Sequence, residues 1–182
     1  GGYSFCGLAA VTILGQADRL NLDKMLHWLV HRQMSLEGGY QGRTNKLVDS
    51  CYSFWQGAAL RVLHEAMRQS GRKVPTDHCW DDPTPLQLYV LLACQNPSGG
   101  LLDKPGKRPD YYHTCYSLSG FSASTWGPPC TGFGNASVAD DISKHCKKIG
   151  PRENILTRTD PMYNISFARA RKHNTKFCSN YN

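Results

Sequence analysis

A repeated block constrains this chain more than any other feature. Gly2-Tyr3-Ser4-Phe5-Cys6-Gly7 is echoed by Tyr52-Ser53-Phe54-Trp55-Gln56-Gly57 and again by Tyr116-Ser117-Leu118-Ser119-Gly120. The starts lie about 49 and 64 residues apart, and each interval holds one further apolar helical pattern. Helix pairs recurring at such a period bury their apolar faces on one another, so the pattern predicts an all-helical array. Matching loops precede the second and third blocks. A Gly-Gly pair (Gly38-Gly39, Gly99-Gly100) and a basic stretch lead into Asp49-Ser50-Cys51-Tyr52-Ser53 and into His113-Thr114-Cys115-Tyr116-Ser117.

Helical periodicity dominates the rest. Leu22, Met25, Leu26, Leu29 and Val30 follow the i, i+3, i+4, i+7 rule, with Asn21 as N-cap. Thr84-Pro85 opens another helix whose apolar body runs over 86–94. Residues 3–14, 48–68 and 114–123 also read as helices, and no period-2 pattern predicts a strand. Residues 126–148 loosen into Gly, Pro and Asn, which predicts an extended loop plus a short helix. The polar, basic stretch 166–182, with Arg169, Arg171, Lys172 and Lys176, reads as a tail without regular structure.

At 182 residues and 40% hydrophobic content the chain can bury one ordinary core. No apolar run reaches the roughly 18–20 residues a membrane span requires. Gly1 to Gly7 lack an initiating Met, a basic n-region and an apolar h-region, so they read as the interior of a longer protein rather than a secretory signal. Eight cysteines lie at wide, irregular spacing with no CxxC, which fits reduced thiols in the cytoplasm. The net charge of +7 is either a solvated basic surface or an anion pocket fed by the clusters at 43–46 and 104–108. Nothing resembling a nucleic-acid motif accompanies it.

Asp49, Cys51 and His113 offer a carboxylate, a thiol and an imidazole at related positions of two repeats. Those are zinc ligand types, and three protein ligands leave a coordination position open for chemistry. On a helix interior residues 49 and 51 would diverge by about 200°, so both reach one ion only if the helix begins there. The ordinary alternative is a helix-capping Asp49, a core thiol at Cys51 and a surface His113. Arg43 and Lys46 before this motif and Tyr52 after it are the groups that grip a diphosphate and stabilise charge growing on it. Tyr3, Cys6 and Trp55 belong to the repeated helices and supply an apolar wall beside that site; core packing is the alternative for each.

Gly1-Gly2-Tyr3-Ser4-Phe5-Cys6-Gly7-Leu8, Glu37 to Arg43, Asn45 to Asp49 and Cys51 to Gln56 resemble the β subunits of protein prenyltransferases. Gly99 to Lys107 and Asp110 to Tyr116 look like the farnesyl-transferring members, and Pro161 to Ile165 matches near the family's C-terminal end. The resemblance implies that residues 1–165 are the C-terminal part of an α-α barrel, a toroid of helix pairs, followed by a divergent basic tail at 166–182. It also implies a separate helical α subunit and zinc-dependent transfer of a farnesyl group from farnesyl diphosphate to the cysteine of C-terminal CaaX motifs. By that analogy Asp49, Cys51 and His113 bind Zn²⁺, with Tyr52 and Lys46 also serving the reaction. Arg43, Asn45, Lys46 and Tyr52 face the diphosphate, while Gly1, Gly2, Tyr3, Cys6 and Trp55 line the isoprenoid channel. Asp103 helps place Mg²⁺, and Tyr112 faces the peptide's end.

The family carries a histidine directly before the position of Gly1 that also contacts the diphosphate, and further isoprenoid-facing aromatics earlier still. A half-barrel exposes an apolar edge, so this chain is expected to fold poorly alone. Two other readings stay open: a type I geranylgeranyltransferase β subunit, and a truncated, non-catalytic isoform that binds zinc or the α subunit.

Overall fold

The computed structural model describes residues 1–74, 79–127 and 148–177. Its helices are α1 (Gly2–Ile13), α2 (Leu22–Val30), α3 (Tyr52–Trp55), α4 (Gly57–Gln69), α5 (Pro83–Leu88), α6 (Tyr111–Trp126) and α7 (Phe167–Phe177). Most of the loop and short helix expected over 126–148 lies outside the described residues.

The helix starts follow local chemistry. Asn21 caps α2 as expected, its Oδ1 accepting from the Lys24 amide at 3.0 Å. For α5 the cap is Asp82 rather than Thr84: its Oδ1 accepts from the Thr84 amide at 3.1 Å, which puts Pro83 in the first turn. Beyond Leu88 this helix widens into a π turn over Tyr89–Ala93. The helix expected over 48–68 is two helices, because the chain is not helical until Tyr52 and bends again at Gln56. α6 opens one turn earlier than expected, capped by Asp110, whose Oδ1 accepts from the His113 amide at 2.7 Å.

α4 is the centre of the molecule. Every residue from Gly57 to Met67 is buried, and α1, α2, α3 and α6 all pack against it. A helix with no solvent face must pair its charges. Arg61 meets Asp81 at 2.6 Å with both side chains almost wholly buried. The Tyr40 hydroxyl donates to the other Asp81 oxygen at 2.8 Å, and Glu65 is gripped by Arg68 through two bonds of 2.9 and 2.6 Å.

The loops between helix pairs repeat. Gln33 bridges to Tyr40 and Gln41 to Val48 in the first; Gln95 bridges to Leu101 and Leu102 to Pro109 in the second. In this register Asp49 corresponds to Asp110, three residues ahead of His113, whereas Tyr52 and Tyr116 correspond along the helices. The second helix has gained one turn at its start, and that turn carries His113.

Two departures concern the C-terminal end. A two-residue antiparallel pair forms where no strand is expected, Thr159 opposite Ser166 and Asp160 opposite Ile165. The stretch read as an unstructured tail is helical from Phe167 to Phe177. Phe167 and Ala170 are buried, and the Arg158 guanidinium lies 4.1 Å over the Phe167 ring. That apolar spacing, hidden in a basic stretch, supplies the packing face.

α3 and α6 pack tightly against each other at Gly120. A Cβ there would overlap the Ser53 side chain and come within 2.5 Å of the Phe54 amide nitrogen. Gly120→Val is therefore expected to lower stability by at least ~1–3 kcal/mol through overpacking. A urea midpoint unchanged from the parent in the same assembly would contradict this.

Candidate metal centre and anion cleft

The approach at Gly120 brings two helix starts together. Asp49 and Cys51 sit in the turn just before α3, with the Cys51 amide donating to Asp49 Oδ1 at 2.9 Å. His113 sits in the first turn of α6. One ligand atom from each of Asp49, Cys51 and His113 lies within 4.8 Å of the others, and His113 Nε2 is 3.4 Å from Asp49 Oδ1. That is close enough for a single ion to draw all three to ~2.0–2.3 Å. Sulfur, imidazole and carboxylate donors fit Zn²⁺ better than a hard cation, which would take oxygens alone.

Asp110 holds the imidazole, a residue the sequence reading did not single out. Its Oδ2 is 2.7 Å from His113 Nδ1, which leaves Nε2 as the metal-facing atom. The signal was present: an Asp at a helix cap three residues ahead of a candidate ligand. Ser50 fastens the other side. Its amide donates to the Asp103 carbonyl at 2.9 Å and its hydroxyl to the Leu102 carbonyl at 2.7 Å. The turn carrying Asp49 and Cys51 is thus anchored to the second loop.

The Cys51 thiol is buried, and burial pushes its pKa well up, with the Asp49 carboxylate adding to the effect. A metal must displace that proton to bind the sulfur.

A cleft of about 760 Å³ opens beside this centre. It is lined by Gly1, Gly2, Tyr3, Cys6, Arg43, Asn45, Lys46, Asp49, Tyr52, Trp55 and Tyr112, together with Gly42, Leu47 and Lys104. Of the expected substrate-facing residues, the structure leaves Asp103 off the wall; it ion-pairs with Lys104, which does reach the cleft. The basic side runs through Arg43, Lys46 and Lys104. Asn45 takes a left-handed φ of 61°, which Asn tolerates better than most residues, and turns the chain between Arg43 and Lys46. Gly42 is required by contact, since a Cβ there would overlap the Tyr52 ring. Burial, reinforced by Cys51 and Asp49, raises the Tyr52 pKa, so its hydroxyl remains a donor.

The aromatic side is continuous. Trp55 stacks on Tyr116 at 4.4 Å, Tyr116 meets Tyr112 at 4.8 Å, and the Trp55 Nε1–H donates to the Tyr112 hydroxyl at 2.9 Å. Tyr3 is 97% exposed and Cys6 is exposed, so α1 forms an open rim rather than an enclosed wall.

Comparison with known proteins agrees with this architecture. The family described as "Prenyltransferase alpha-alpha toroid domain" matches residues 1–165, and the chain belongs to it. Within that family, it is 35% identical to the protein farnesyltransferase subunit beta of Pisum sativum, over 94% of this chain and 52% of that one. It is 48% identical to the Schizosaccharomyces pombe subunit, over 68% of this chain and 32% of that one. The chain therefore spans about half, or less, of these relatives. The fold matches the Candida albicans protein geranylgeranyltransferase-I complexed with GGPP, with a TM-score of 0.61 and 22% identity, over 95% of this chain and 43% of that one.

Two outcomes follow from the geometry. Asp110→Ala is expected to weaken Zn²⁺ affinity by about 10- to 100-fold; an unchanged competition titration against a chelator would contradict the support role. Because Cys51 binds metal only as thiolate and its pKa is raised, apparent Zn²⁺ affinity should rise with pH. The rise should be about tenfold per unit across 7 to 8.5, and should vanish in Cys51→Ala. A flat pH profile in the parent would exclude the thiol as ligand.

Proposed function

We propose that this chain is the catalytic half of a farnesyltransferase β subunit. In this reading Asp49, Cys51 and His113 hold one Zn²⁺, and a separate helical α subunit completes the enzyme. The observation that carries it is the convergence of these three donors at one end of a cleft with a basic side and an aromatic side. The similarity to two farnesyltransferase β subunits supports the choice of lipid.

Zn²⁺ held there supplies an open position at which an incoming thiol stays deprotonated near neutral pH. The remaining work falls to side chains. Arg43, Lys46 and Lys104 bind the diphosphate of farnesyl diphosphate. Tyr52, kept protonated, donates to the oxygen on which negative charge grows. Trp55 and Tyr112, packed against Tyr116, line the path of the C15 chain, with Gly1, Gly2, Tyr3 and Cys6 on the opposite rim, and Asn45 shapes the anion loop. The CaaX cysteine sulfur forms the new bond to C1 of the lipid as the C1–O bond breaks, its electron pair leaving with the diphosphate. Tyr112, beside both Trp55 and the metal turn, faces the peptide. Asp103 is the carboxylate assigned to Mg²⁺: a single carboxylate suits an ion that takes its other oxygens from diphosphate and water. A cytoplasmic location is part of the proposal, supported by Cys6, Cys51, Cys94 and Cys115 being thiols rather than disulfides. Among the described residues no helix is long and apolar enough to cross a membrane.

A second reading, a non-catalytic piece that binds zinc or the α subunit, is favoured by one observation: the open rim at Tyr3. The test is transfer of farnesyl or geranylgeranyl from its diphosphate to a CaaX peptide, assayed with the α partner and Zn²⁺. Farnesyl transfer that falls at least ~100-fold in Arg43→Ala, with zinc retained, is the expected result. Preference for the longer lipid would move the assignment to the geranylgeranyl enzyme. Zinc bound without turnover would leave the non-catalytic reading.

A further inference from the structure

Arg32, just beyond the C-terminal end of α2, is 7% exposed. Among the described residues no carboxylate lies within ion-pair distance of it. A buried guanidinium without a counter-charge is expensive unless its donors are met and its charge has a use. Two of its donors are met, both by neutral groups. Nε donates to the Trp28 carbonyl at 3.2 Å, and Nη1 donates to the Thr44 hydroxyl at 2.8 Å. The guanidinium carbon lies 5.3 Å from the centre of the Trp28 ring. The Arg32 carbonyl, in turn, accepts from the Gln41 amide at 2.9 Å.

These contacts straddle one turn of chain. Backbone holds Gln41 and side chain holds Thr44, and between them lie Gly42 and Arg43, with Asn45 and Lys46 immediately after. Four of these residues, Gly42, Arg43, Asn45 and Lys46, line the cleft; Arg32 does not. A helix-terminal arginine that only satisfied a last-turn carbonyl of α2 would need the Trp28 bond alone. The bond to Thr44 twelve residues on, and the missing carboxylate, go beyond that.

Resting on the diphosphate reading above, we propose that Arg32 is a positioning residue for the anion loop: it clamps Thr44 so that Arg43 and Lys46 face the diphosphate, and its uncompensated charge adds to the field there. The ligand class is a diphosphate ester, and the effect is confined to the anionic head.

The test uses the chain assembled with its α partner, with Arg32→Lys, Arg32→Met and Thr44→Val beside the parent. Affinities are measured for farnesyl diphosphate and for farnesol, which shares the tail and lacks the anion, together with zinc content. The expected result is about a tenfold loss of diphosphate affinity in Arg32→Met. A smaller loss is expected in Thr44→Val, where the charge remains, and partial rescue in Arg32→Lys, which keeps the charge without the fork. Farnesol affinity and zinc content should not change. Equal losses for farnesyl diphosphate and farnesol, or no loss in either Arg32→Met or Thr44→Val, would overturn the positioning role while leaving the diphosphate reading intact. Failure of the parent to bind farnesyl diphosphate more tightly than farnesol would overturn both.

Discussion

The site depends on how closely α3 and α6 approach. Gly120 lets the α6 backbone settle against Ser53 and Phe54, and the Ser53 hydroxyl bonds the Ser50 carbonyl at 2.6 Å directly beneath the Asp49–Cys51 turn. A side chain at position 120 would push the two helix starts apart. His113 would then leave the donors it faces. Ser50, bonded to the Leu102 and Asp103 carbonyls, locks the same turn from the loop side. Three candidate ligands from two repeats are positioned largely by contacts between their neighbours.

The chemistry of the cleft follows from that placement. Acidic and thiol donors collect where two helices begin, the basic groups collect on the neighbouring loops, and the aromatic ladder of Trp55, Tyr116 and Tyr112 runs between α3 and α6. Charge and apolar surface are thereby separated across a few ångströms. A molecule with an anionic head and a greasy tail finds both without either polar group being buried against hydrocarbon. Lys104 joins the basic side only because its loop is anchored to Ser50.

Much of this was legible in the residues. Repetition of the Tyr-Ser blocks pointed to the helical architecture, and the carboxylate, thiol and imidazole pointed to a cluster that could hold a metal, because those signals are local or recur. What escaped depended on register and on distant partners. Cap competition between Asp82 and Thr84, and the extra turn that Asp110 adds to α6, turn on which carboxylate reaches an amide first; helical periodicity is blind to that. The same blindness hid Asp110 as the partner of His113. The C-terminal stretch read as disordered because its composition is basic, yet Phe167 and Ala170 find a face to pack on and Arg158 covers the ring. Asp103 pairs with Lys104, which lines the cleft, a link made by loop geometry that spacing does not encode.

α4 has a consequence for how the molecule comes apart. In a simple linear array each repeat touches only its neighbours, and the ends can peel away while the middle persists. Here one helix, buried on every side, touches α1, α2, α3 and α6 together, and its Arg61 is tied to Asp81 before α5. Removing any of these neighbours exposes apolar surface or strands a charge along the same helix. Within the assembled protein the helices packed on α4 therefore share one axle, so local damage at one rim is transmitted to the other as lost stability.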